Sequence, residues 1–160
     1  MHTFYVSSFG KNSNKGIYIV HFDENSDELS IVQHIVTKDY PSYMVIKDNN
    51  LYITYKNANR SSDGGGLGSF AIYKDELIIN NNFASNGRSY THLCISDNSR
   101  YLFAANYQVG STASYLLENG HIKEKIGAIH HIGLGPDLLK RQTGPHCHYV
   151  LIKSLFMLLI

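Results

Sequence analysis

Histidine dominates the chemistry that this sequence can offer. His146 and His148 stand two apart, so in an extended chain both side chains leave the same face. Arg141 precedes them, inside a glycine-bounded stretch from Gly135 to Gly144. An imidazole, with an ordinary pKa near 6.5, accepts a proton from water at neutral pH. A guanidinium presents a planar fork to phosphate or carboxylate. His92 and Tyr43 join this set through the repeat described next, giving a polar pocket with a histidine as proton carrier and Arg141 as anion holder. The same residues would equally serve to satisfy turn backbone, with Arg141 solvated, and the residue types alone leave both readings open. His92, His146 and His148 would also suffice for a catalytic zinc. The run from Arg141 to His148 supplies no carboxylate to orient them, and neither a metal nor a cofactor is expected. Gly64 to Gly68 resembles a phosphate loop only in its glycines, because no Lys-Ser/Thr helix start follows.

The elements that must position these groups repeat along the chain. Leu51-Tyr52-Ile53-Thr54-Tyr55 matches Phe4-Tyr5-Val6-Ser7-Ser8, 47 positions earlier, and Tyr101-Leu102-Phe103-Ala104-Ala105, 50 positions later. Each run leads through a polar, glycine-containing turn to a second strand, beginning at Gly16, Gly68 and Gly110. A third strand opens at Asp27-Glu28-Leu29, at Asp75-Glu76-Leu77 and at Gly120-His121-Ile122. From the second repeat onward a further strand leads: Pro41–Ile46, Tyr90–Ile95, and the stretch from Pro145 to Val150. Four short strands recurring every 45–56 residues predict an all-β chain of four-stranded antiparallel propeller blades. About three blades and part of a fourth are present, with Pro41–Ile46, Tyr90–Ile95 and His146–Ile152 innermost. The first blade lacks its leading strand. Because innermost strands line the central channel, Tyr43, His92 and His148, which share one place in the repeat, are expected to converge there with Arg141. His130 and His131 read as surface residues, and Tyr107 as a packing residue near a blade edge.

Composition agrees with strands and narrows the partners. Twelve tyrosines, seven phenylalanines and many Ile/Val favour a sheet. A net charge of +1 leaves no electrostatic footprint for nucleic acid or a membrane surface. Cys94 and Cys147 form no spaced metal motif, and with no basic, apolar leader at the N-terminus the expectation is a cytoplasmic protein with reduced thiols.

Ala105-Asn106-Tyr107-Gln108-Val109-Gly110-Ser111 resembles the A-N-Y-x-x-G-S/K segment of the lactonase family of seven-bladed propellers. Arg141-Gln142-Thr143-Gly144-Pro145-His146-Cys147-His148 resembles its R-Q-x-x-P-H-x-H signature, and Tyr5 to Phe9 with Gly16-Ile17-Tyr18 resembles its opening. Bacterial members of that family are assigned as 6-phosphogluconolactonases, and fungal relatives include carboxymuconate-lactonising enzymes. The resemblance implies hydrolysis of 6-phospho-D-glucono-1,5-lactone to 6-phosphogluconate, in the oxidative pentose phosphate pathway. His146 or His148 would then activate water, and Arg141 would bind the phosphate or the developing oxyanion, with His92 and Tyr43 lining the substrate site. In the muconate enzymes later blades add a glutamate and further arginines. A propeller that binds protein partners without catalysis is the competing reading.

The last residues depart from the resemblance. Residues 1–152 read as a partial lactonase-type propeller, and 153–160 as an apolar tail of out-of-frame origin. The expectation is an incomplete, inactive chain that self-associates through exposed blade edges.

Overall fold

The protein is described by a computed structural model, covering residues 1–10, 12–57, 64–86, 88–133, 142 and 144–153. Eleven strands among these residues form three antiparallel sheets. The first comprises β1 (His2–Phe9), β2 (Lys15–Asp23) and β3 (Glu28–Val36). The second runs β4 (Tyr40–Lys47), β5 (Asn50–Lys56), β6 (Gly66–Tyr73) and β7 (Glu76–Ala84). The third runs β8 (His92–Ile95), β9 (Tyr101–Asn106), β10 (Ser111–Glu118) and β11 (His121–His130). Spatial order follows chain order in every sheet, and the only helical turn among the described residues is the 3-10 turn Asn12–Asn14. The four-stranded unit, and the three-stranded first copy, are as the repeat predicts.

Local chemistry sets the hairpins. Asp48-Asn49 joins β4 to β5 and Asn119-Gly120 joins β10 to β11, all four residues at positive φ. Two central residues in that region give the turn whose twist matches a right-twisted strand pair, and Asn, Asp and Gly tolerate it best. Each outer hairpin also carries a bulge in the same place. The ladder slips after Ile19↔Gln33, after Ser69↔Asn81 and after Ser114↔Gly127. A bulge of this kind sharpens the local twist.

Side-chain alternation then stacks the sheets. On β5, Leu51, Ile53 and Tyr55 pack with Ile17 and Ile19 of the first sheet. The intervening Tyr52 packs with Leu93, Leu102 and Tyr115 of the third. The middle sheet is thus buried on both faces, which is why β5 is apolar almost throughout rather than alternating. An amide side chain in the outer strands β3 and β7 reaches across the stack. Gln33 Oε1 accepts the Leu77 amide at 2.9 Å. One repeat on, Asn81 accepts the Ile122 amide at 3.1 Å and donates to its carbonyl at 2.7 Å.

One expectation about strands is altered. The stretch from Pro145 to Val150, read as the innermost strand of a fourth repeat, belongs to no sheet among the described residues. It lies instead beside β8, without a ladder partner to fix its register. The tail over 154–160 lies outside the described residues.

Candidate active site

β4 and β8 are the first strands of adjacent sheets, and their side chains meet. The rings of Tyr43 and His92 lie 4.1 Å apart between centroids. On its other side His92 meets Tyr149 at 3.7 Å, at nearly the same tilt of 38° against 39°. His92 is therefore clasped between two tyrosines and is only 4% exposed. Its Nδ1 accepts the Val150 amide at 3.4 Å. Its buried Nε2 has no hydrogen-bond partner among the described residues. Burial pushes the His92 pKa below 6.5, because a charged imidazolium loses its hydration there.

The paired histidines form a second cluster around Tyr107, in the turn that follows β9. His146 stacks on the Tyr107 ring at 4.3 Å and 12°. His148 meets the same ring edge-on at 4.9 Å and 78°. The two-residue spacing thus does bring both imidazoles to one side of the chain. Residues alternating with them turn elsewhere: Cys147 Sγ lies 3.2 Å from Thr112 Oγ1, and Tyr149 covers His92. Thr91, next to His92, joins the two clusters, its Oγ1 3.3 Å from the Cys147 carbonyl oxygen and 3.5 Å from that of His148.

The turn beneath the histidines is built by local rules. Asn106 is buried, and its Oδ1 accepts the Val109 amide at 3.2 Å. Such a side-chain bond closes a turn without a ladder. Gly110 has φ +55, and a Cβ there would sit 2.3 Å from the Pro145 carbonyl oxygen. Only glycine lets the histidine segment pass so close.

The positions therefore differ in part from the expected convergence. Tyr43 and His92 touch, but the third ring in that stack is Tyr149 rather than His148. A one-residue difference in phase reverses the face of an extended chain, and the segment lacks the ladder that would pin its register. Tyr107, read as packing, packs specifically on both histidines, and Tyr149 was missed although it repeats the aromatic character of Tyr43. Arg141 lies outside the described residues. No three His, Cys, Asp or Glu gather to hold a metal among the described residues. No helix among them is long and apolar enough to cross a membrane.

Stacked antiparallel sheets of three and four strands, with histidines and aromatics gathered beside the first strands of the second and third, have the architecture of β-propeller blades. The chain belongs to the Lactonase, 7-bladed beta-propeller family, whose model matches residues 3–155. It is 29% identical over 149 residues to the 6-phosphogluconolactonase of Bacillus subtilis (strain 168), covering 91% of this chain and 41% of that protein. A Bacteroides fragilis protein, solved as a candidate 6-phosphogluconolactonase, superposes with a TM-score of 0.75 at 26% identity. That match spans 90% of this chain and 40% of the other. A Lactobacillus plantarum protein shares the fold at TM-score 0.72 and 21% identity, over 92% and 41% of the two chains. The chain thus spans about two fifths of the length of the relatives it matches.

Proposed function

We propose that this chain carries part of a lactone-hydrolysing site whose substrate is 6-phospho-D-glucono-1,5-lactone and whose product is 6-phosphogluconate. The reading places the chain in the cytoplasm and in the oxidative pentose phosphate pathway, and it requires no metal or cofactor. The observation that carries it is the pair His146 and His148 held on one tyrosine ring, in a chain that the lactonase family model matches. One histidine takes a proton from water as the water attacks the lactone carbonyl carbon. The C–O bond of the ring ester then breaks, and the ring oxygen leaves as an alcohol after receiving a proton. His92, its Nδ1 engaged as an acceptor and its ring clasped by Tyr43 and Tyr149, is assigned to the wall of the substrate site. Tyr43 shapes the same wall, and Arg141 is assigned the phosphate or oxyanion. The remaining blades of a seven-bladed ring would complete the site, so this stretch by itself is proposed to be inactive.

The test compares hydrolysis of 6-phosphogluconolactone against spontaneous ring opening, for this chain alone and for the same chain extended by the remaining blades of its Bacillus subtilis relative. Turnover in the extended protein, lost on replacing both His146 and His148 by Gln, supports the reading. Unchanged turnover in the double variant overturns it.

A protein-binding role without catalysis is the second reading, favoured by one observation. Phe4, Val6, Leu29 and Ile31 share the face of the first sheet that no other sheet among the described residues covers, each at least 46% exposed. Binding to a partner through that face, undiminished by the histidine substitutions, would support it.

A further inference from the structure

The two histidines are not equivalent in the hydrogen bonds they make. His146 Nδ1 lies 2.8 Å from the backbone carbonyl oxygen of Tyr107. A carbonyl oxygen only accepts, so Nδ1 must carry a proton and donate it. In the neutral ring the other nitrogen, Nε2, is then left with its lone pair. A histidine in solution has no such partner and exchanges its proton between the two nitrogens. For His148 the contact with Tyr107 is through the ring edge alone, and the residue is exposed. Among the described residues, nothing there selects a tautomer.

The acceptor is itself held in place. Tyr107 begins a turn closed by Asn106 Oδ1 on the Val109 amide. The turn ends at left-handed Gly110, whose carbonyl oxygen accepts the His131 amide at 2.8 Å. The Tyr107 ring stacks flat on His146 at 4.3 Å and fixes the plane of the imidazole. The carbonyl sets the tautomer and the ring sets the orientation, two separate devices acting on one side chain.

We infer that His146, rather than His148, is the member of the pair prepared as the base, its Nε2 lone pair kept available by the Tyr107 carbonyl, with Tyr107 and Gly110 as positioning residues. The assignment of this base to water activation rests on the lactone-hydrolase reading. The preparation of the nitrogen does not. A protein base oriented through its second nitrogen is a recurring device, because only a ring already in the correct tautomer transfers a proton without first rearranging.

The deciding measurement is the ¹⁵N spectrum of the full 160-residue chain with labelled histidine, at a pH where the imidazoles are neutral. His146 is expected to show a protonated Nδ1 and a free Nε2, while His148 shows the averaged pattern of a solvent-exposed ring. A His146 spectrum with the proton on Nε2, or indistinguishable from that of His148, overturns the inference whether or not the chain hydrolyses lactone. Gly110→Ala should abolish the distinct tautomer, and Tyr107→Phe, which keeps ring and carbonyl, should retain it. In a protein extended to the complete ring, His146→Gln should lower kcat by about a hundredfold or more and remove the acidic limb of the pH profile. His148→Gln should leave that limb in place. Loss of the limb in His148→Gln instead would refute His146 as the base. A complete ring without any turnover would refute the lactonase reading while leaving the tautomer result standing.

Discussion

His92 shows how a residue can be stabilised by packing and still be sensitive to acid. Its ring is clasped by Tyr43 and Tyr149, yet its pKa lies below 6.5 because burial opposes the charged form. Below pH 6.5 the unfolded chain binds a proton at this position that the folded chain does not. Stability therefore falls as pH drops from about 6.5 towards the folded-state value, and is independent of this group above 6.5. The melting temperature should decline on acidification from pH 7 to pH 5. His92→Phe keeps an aromatic ring in the stack and removes the titration, so its decline should be shallower. Equal slopes for the two proteins would show that His92 is not buried as described.

At the scale of elements, the sheets are joined by a device repeated from one sheet to the next. Gln33 and Asn81 occupy the same place before the bulge of their outer strands, and each satisfies a backbone amide of the following sheet. In the third sheet that place is Gly127, which has no side chain to reach onward. Ile122 is buried, at 1% exposed, so removing its partner leaves an unsatisfied amide. Asn81→Ala should destabilise by about 1–3 kcal/mol in urea unfolding, mostly as a shift in midpoint. Ile53→Ala, which opens a cavity between the first two sheets, should cost about 2–5 kcal/mol. A loss below about 0.5 kcal/mol for Asn81→Ala would remove the clasp from the account of how blades hold together.

At the scale of the whole molecule, the described residues leave sheet edges and faces uncovered. Among the described residues, β1 pairs only with β2, and the stretch beside β8 pairs with no strand. Two faces carry exposed apolar side chains: Phe4, Val6, Leu29 and Ile31 on the first sheet, and Ile126 and Ile129 on β11. Unpaired edges and apolar faces of this kind recruit further strands. The purified chain should associate in a concentration-dependent way, measured by light scattering after size exclusion. Ile31→Lys, on the open face, should weaken that association without lowering the melting temperature by more than a degree or two. A monodisperse, cooperatively unfolding monomer at all concentrations would show that the arc is self-sufficient.

The sequence by itself determined the period and hence the architecture. The β1, β5 and β9 runs, the polar turns and the alternation of apolar residues are local properties, and each repeat states them independently. The pairing of His146 with His148 was legible for the same reason, since an extended chain puts alternate residues on one face. The tertiary structure decided which groups meet across sheets. Tyr149 rather than His148 covers His92, because a segment without a ladder partner takes its phase from packing against β8. Tyr107 becomes the support of both histidines because the turn after β9 brings it under a segment almost forty residues further along. Contacts between elements so far apart depend on how the sheets stack, and no spacing within a single strand encodes that.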